Sequence, residues 1–236
     1  MSQRLYGNII TMCGRKTLTK DMQSIIEELA VEEWENSDNY LPNYNIAPTQ
    51  NSPILIDNGK RIVRPMRWGL IPSWAKDDKF GARMINARVE TLTEKPSYRN
   101  LVSTNRCIII TDGYYEWKND GDRKDPYYFK DPDDNLLPMA GLYDVWKHPD
   151  GSLIPTYTVI TKVAQDDIDT IHNRMPVILP QKHLDEWLKT ERFSVSIVLE
   201  LANNTRPILE NYPVSSFVNS AKNNSHDCIL PLEKTF

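Results

Sequence analysis

Cysteine is scarce here and odd in number: Cys13, Cys107 and Cys228 are the three thiols in 236 residues. Three cysteines without ligand-like spacing offer neither a disulfide framework nor a zinc site. Glycine is also sparse, at nine residues, and no low-complexity tract, internal repeat or Gly/Ser linker breaks the chain. No apolar run is long enough to cross a bilayer. The opening segment, Met1 to Thr11, carries one Arg and a lone Ile-Ile pair, too little for a secretory signal. An intracellular protein without a membrane partner is expected.

A strong charge bias is missing too, since the net charge is −4. The distribution is more informative than the sum. Residues 21–38 hold seven Asp or Glu and no Lys or Arg, whereas residues 60–106 hold eleven Lys or Arg against four Asp or Glu. Such asymmetry suits a solvated surface, and it also suits a basic groove on an acidic protein.

Periodicity supplies the architecture. Met22, Ile25, Ile26 and Leu29 recur at helical spacing behind Thr19, a candidate cap. An acidic stretch, Glu32 to Asp38, follows as an exposed helix end and loop. Asp57-Asn58-Gly59-Lys60 separates the runs 53–56 and 61–64, and Asn-Gly is a strong hairpin signal. Further strands are predicted at 106–112, 127–130, 136–143 and 155–161, with short helices at 96–102, 181–189 and 194–202. The expected fold is a single α+β domain around a curved, barrel-like, mainly antiparallel sheet flanked by short helices.

Cys107 in Cys-Ile-Ile-Ile and Cys228 before Ile-Leu-Pro read as buried small hydrophobes. Cys13, between Met12 and Gly14-Arg15, does not. Three further segments are too polar, or too rich in Trp and Arg, for ordinary core: Arg67-Trp68-Gly69-Leu70-Ile71-Pro72-Ser73-Trp74, Ile85-Asn86-Ala87-Arg88-Val89-Glu90, and Asp112-Gly113-Tyr114-Tyr115-Glu116-Trp117 together with Ile171-His172-Asn173-Arg174-Met175-Pro176. Singly, each has a plain reading: a solvated Glu, a hydrogen-bonding loop His, a turn Asn, a rim Trp. A Cys, a Glu and a His far apart in sequence also fit a thiol hydrolase.

As an ordered set, Cys-Gly-Arg, Asn-Ala-Arg-x-Glu, Asp-Gly-Tyr-Tyr-Glu-Trp and Ile-His-x-Arg-Met-Pro closely resemble the SRAP family, named for "SOS response-associated peptidase". Pro213-Val214-Ser215 and the Asn-rich 219–224 resemble its closing segment, so the likeness runs from Met12 to about Pro231. The resemblance implies a SRAP-type domain over 12–236, preceded by an extension, 1–11, absent from the mature protein. It implies an enzyme in which Cys13 is N-terminal and its amine and thiol capture the aldehyde of an abasic site as a covalent thiazolidine. Asn86, Glu116 and His172 would assist as orienting and proton-transfer groups. Arg15, Arg67, Arg88 and Arg174 would hold phosphates, and Pro48, Trp68 and Trp117 would wedge or stack against bases. The implied partner is single-stranded DNA bearing abasic sites, or its junction with duplex, bound by a monomer. No cofactor or metal is needed, and the location would be the nucleus of a eukaryote or the cytoplasm of a bacterium. A thiol (auto)peptidase and a non-catalytic binder of single-stranded or modified DNA are the competing readings.

Overall fold

A computed structural model of the chain describes residues 13–121 and 123–232. The expected extension, 1–11, lies outside them, as does Met12. In chain order the strands are β1 (Arg15–Leu18), β2 (Glu33–Trp34), β3 (Asn43–Ile46), β4 (Asn51–Asp57), β5 (Arg61–Trp68), β6 (Asn86–Arg88), β7 (Arg106–Ile109), β8 (Gly113–Asp120), β9 (Arg123–Lys130), β10 (Met139–Lys147), β11 (Leu153–Val163), β12 (Arg174–Pro176) and β13 (Glu210–Pro213). The helices are α1 (Met22–Leu29), α2 (Leu101–Thr104), α3 (Asp166–Asp169), α4 (Leu184–Leu188) and α5 (Val195–Asn204).

The Asn58-Gly59 turn forms as expected, with Gly59 at φ +100°, and joins β4 to β5 as an antiparallel hairpin. From β5 the sheet runs through β4, β7 and β10 to β11, and a parallel contact of Thr156–Tyr157 on β11 with Arg67–Trp68 on β5 closes it into a five-stranded barrel. β11 is buried without a break from Thr156 to Lys162, as a strand covered on both faces must be. It also carries β6 along the same edge as β5, and β12 beyond the end of β10. A second, antiparallel sheet, in the order β13, β9, β8, β1, β3, packs against the barrel. Leu18, Tyr114 and Phe129 of that sheet, with Cys13 just before β1, share one continuous core with the barrel residues Ile54, Val63, Ile108 and Val159.

Helix α1 exists where its periodicity places it, but Thr19 does not cap it. Asp21 accepts from the Ser24 N–H at 3.0 Å, while the Thr19 hydroxyl donates to Asp112 at 2.8 Å. The expected helix at 96–102 is confined to a turn at Leu101–Thr104. The acidic stretch is not a free loop: Glu33–Trp34 runs parallel to Ile62–Val63 as β2. Its carboxylates meet the basic segment directly, Glu33 with Lys60 and Glu35 with Arg64. Arg61 turns to Asp185 at 2.7 Å, and buried Arg106 donates to the Trp187 and Val102 carbonyls. Part of the charge asymmetry is therefore cancelled internally, and the remaining exposed cations lie further along the segment.

One close approach depends on glycine. Gly69 sits at φ +117°, and a Cβ there would fall 2.3 Å from the Gly81 carbonyl oxygen. Only hydrogens at that position let the loop 70–85 fold back along β5, which brings Trp74 to the surface and feeds β6 onto β11.

Candidate active site

Pairing of β1 with β8 sets Arg15 opposite Tyr115 and Lys16 opposite Tyr114. Two residues before Arg15, the chain turns at Cys13 through a left-handed conformation, φ +46°. That turn aims the Cys13 nitrogen at Glu116: the N–H donates to Oε1 at 2.6 Å. The thiol is hydrogen-bonded to the same carboxyl group. Both residues are buried, Cys13 at 4% exposure and Glu116 at 1%.

Burial dominates the electrostatics. Lost hydration pushes the Glu116 carboxyl up to about 8, against the opposing pull of the Cys13 hydrogen bonds. The same burial, reinforced by Glu116, pushes the Cys13 thiol well above its ordinary value. At neutral pH the pair is thus a protonated acid beside an un-ionised thiol. A carboxylic acid held neutral by its surroundings is a proton donor poised for chemistry near pH 7.

Asn86 and Arg88 lie on β6, in register with Val159 and Thr161 of β11. Registered neighbours share a sheet face, so they join Trp68 and Tyr157 on the inner face, while Arg67, opposite Thr156, lies on the other. His172 sits in the turn between α3 and β12, half-buried, and the Arg174 N–H donates to its Nδ1 at 3.1 Å. The same Nδ1 lies 3.2 Å from the Arg174 carbonyl oxygen, and burial lowers the imidazole's basicity.

Several expected DNA contacts take other forms. Trp68 is 1% exposed, stacks on Tyr157 at 6.2 Å, and donates its indole N–H to the Ile85 carbonyl at 3.0 Å. It is a core residue and has no face to offer a base, because closing the barrel through β5 and β11 covers it. Arg174 is buried too, and its guanidinium is engaged by both Glu90 oxygens, at 2.6 and 2.9 Å, and by the Thr161 carbonyl at 2.7 Å. Arg15 donates to Asn45 Oδ1 at 2.6 Å and to the Val218 carbonyl at 2.7 Å, with its guanidinium 5.9 Å over the Trp117 ring. Trp117 is half-buried and donates to Asn219 Oδ1 at 2.8 Å. Arg15 and Trp117 therefore clasp the closing segment 218–219.

Arg67 and Arg88 make no ion pair among the described residues, and Arg88 is exposed. Pro48 is half-buried in the loop between β3 and β4. A surface aromatic that sequence reasoning passed over stands nearby. Trp74 is 58% exposed and meets Phe80 edge-on at 5.6 Å. Phe80 belongs to the 3-10 turn Asp78–Arg83, whose Gly81 adjoins the Arg67 guanidinium. The signal available in sequence was its place after Pro72-Ser73 in a polar loop, against the alternating strand that holds Trp68. Among the described residues no cluster of three His, Cys, Asp or Glu could hold a metal ion, and no helix is long and apolar enough to cross a membrane.

Comparison with known proteins points to one family. A family model described as SOS response associated peptidase (SRAP) matches residues 12–221. The chain is 43% identical over 221 residues to the abasic site processing protein YoqW of Bacillus subtilis (strain 168), a match spanning 92% of this chain and 99% of that one. It is 34% identical over 234 residues to the abasic site processing protein HMCES of Gallus gallus, spanning 85% of this chain and 69% of that protein. A solved structure of a protein from Bacteroides thetaiotaomicron matches with a TM-score of 0.83 at 25% identity, over 93% of this chain and all of the other.

Proposed function

The chain belongs to the SOS response-associated peptidase (SRAP) family, and from that membership and the Cys13–Glu116 geometry we propose that it processes abasic sites in DNA, capturing them covalently through an N-terminal Cys13. The observation that carries this reading is the Glu116 carboxyl at 2.6 Å from the Cys13 nitrogen. With Cys13 at the chain start, that nitrogen is an α-amine with a pKa near about 8, partly neutral at physiological pH.

The chemistry balances around one carboxyl group. The amine nitrogen bonds to C1′ of the ring-opened deoxyribose, and the carbonyl oxygen takes the Glu116 proton. Nitrogen returns a proton to Glu116, which delivers it to the hydroxyl; water leaves as the C=N bond forms. The Cys13 sulfur then adds to C1′, its proton passes to Glu116, and the C=N electron pair returns to nitrogen. The product is a thiazolidine plus water, and Glu116 ends protonated, as its burial favours. His172, its basicity lowered by burial, assists opening of the sugar, and Asn86 orients sugar and nucleophile.

Arg67 and Arg88 supply phosphate contacts, and Pro48 borders the same path. The exposed Trp74–Phe80 pair takes the stacking role in place of Trp68, which favours single strands and junctions, where bases are unstacked. Arg174 is a strut held by Glu90, and Arg15 with Trp117 anchors the closing segment. A peptide nitrogen cannot form the imine, so activity requires removal of residues 1–12, or synthesis from Met12, where the family match begins, followed by removal of that Met. A thiol peptidase is less well supported, because burial beside Glu116 disfavours the thiolate it would need.

The test is a denaturing gel of labelled single-stranded oligonucleotides, with and without an abasic site, mixed with the chain beginning at Cys13. A slow-migrating species that depends on the abasic site is expected. Binding without any such species would leave a non-covalent binder as the better reading.

A further inference from the structure

Tyr114 stands two residues before Glu116 on β8. Strand alternation puts both side chains on the inner face, opposite to Tyr115 and Trp117. Its ring is fully buried and stacks on Phe129, its registered partner on β9, with centroids 4.8 Å apart and planes 9° from parallel. That stack needs only a phenyl ring. The hydroxyl is a separate matter: it is buried and has no hydrogen-bond partner among the described residues. Buried polar groups are nearly always paired, so an unpaired one calls for an explanation.

Its surroundings supply one. Cys13, Glu116 and Asp167 of α3 are all within electrostatic reach of this hydroxyl. The unpaired hydroxyl thus lies close to the nucleophile and its acid, with α3, the element leading into His172, on hand as well. A phenylalanine would pack equally well here, whereas a tyrosine adds one unpaired hydrogen-bond donor on the face that carries Glu116.

We propose that the Tyr114 hydroxyl is a substrate-binding group of this site, donating a hydrogen bond to the oxygen on C1′ of the abasic sugar. It holds that bond while negative charge develops on the oxygen during addition, and it keeps its own proton throughout, so the proton sequence through Glu116 is unchanged. The assignment rests on the covalent reading above and deepens it. The hydroxyl is a transition-state donor in the same sense as an oxyanion-hole group.

Tyr114→Phe in the chain beginning at Cys13 tests it. Three quantities are measured: the single-turnover rate of adduct formation on an abasic oligonucleotide, the affinity for an undamaged single strand, and the melting temperature. Adduct formation is expected to slow on the order of 100-fold, with affinity unchanged and melting temperature unchanged or raised, since a lone buried hydroxyl is removed. An unchanged rate overturns the proposal. So does a slower rate accompanied by a lower melting temperature, which would mark a packing role. If the wild-type chain forms no adduct at all, the covalent reading itself falls and this one with it; a wild-type adduct that Tyr114→Phe matches removes Tyr114 alone.

Discussion

The two faces of β8 are treated very differently by the fold. On the outer face the Tyr115 hydroxyl donates to the Tyr44 carbonyl at 2.7 Å, and Trp117 is bonded to Asn219 beneath the Arg15 guanidinium. The Tyr115 hydroxyl and the Trp117 indole N–H are both bonded, and Trp117 with Arg15 fixes the closing segment of the chain. On the inner face Glu116 is stripped of water and held near pKa 8, while the Tyr114 hydroxyl has no partner. Residues one apart in sequence thus divide between an outer face that anchors the closing segment and an interior that holds a desolvated carboxyl and an unpaired hydroxyl. The lesson is that strand alternation alone can set an anchoring face and a desolvated interior face within four residues.

Substitutions on each face should break that contrast in unequal degrees. The largest effect is expected from Cys13→Ser in the chain that starts at this residue. The heat-stable adduct should disappear, while borohydride should still trap an imine through the α-amine; an untrappable variant would mean that the amine is not the first nucleophile. Next comes Glu116→Gln, which should slow adduct formation by roughly 100- to 10,000-fold with DNA binding retained. The wild-type rate should also carry a pH limb from titration of Glu116, and the Gln variant should lack it.

Linkage gives a matching stability signature for Glu116. Its folded pKa, about 8, lies above the ordinary 4.5, so its contribution is fully present below 4.5 and is lost as pH rises through 8. Melting curves between pH 5 and 9 should show the wild type losing stability relative to Glu116→Gln; parallel curves would mean the carboxyl is not desolvated.

On the outer face, Arg15→Ala should cost about 1.5–3 kcal/mol, because the Val218 carbonyl and Asn45 lose a charged donor. Denaturant melts would report that loss, and the adduct rate per folded molecule should hold near the wild-type value. A collapse of that rate with stability intact would place Arg15 in the chemistry. The smallest effects belong to Arg67→Ala and Arg88→Ala. Each should weaken single-strand binding independently of sequence and flatten its salt dependence by about 0.7 of a counterion. Salt titrations with unchanged slopes would put the DNA path elsewhere.

Much of this was legible in the sequence because the information is local. The hairpin at Asn58-Gly59, the periodic helix ending at Leu29, and the buried settings of Cys107 and Cys228 each depend on a few adjacent residues. Cys13 and Glu116 were singled out by their unusual neighbours, although no local feature told how far apart they lie. Where the reading went astray, a distant segment had intervened. Thr19 lost its capping role to Asp112 ninety-three positions away, and the acidic stretch became a strand because the basic β5 lay beside it. Trp68 and Trp74 look alike in a linear string; only closure of the barrel buries the first and leaves the second in solvent.

The sequence by itself determined which residues are chemically capable: one thiol in a non-core setting, one carboxyl in Tyr-Tyr-Glu-Trp, and a short list of arginines and tryptophans. It also determined strand and turn content, since those follow from side-chain period and from glycine at a left-handed position. Tertiary structure decided which of these groups meet and in what medium. A turn at Cys13, set by β1 on β8, brings a nitrogen to a carboxyl 103 residues away, and exclusion of water there changes that carboxyl from a base into an acid at neutral pH. Proximity and desolvation are properties of a packed interior, and neither is encoded at any single position of the chain.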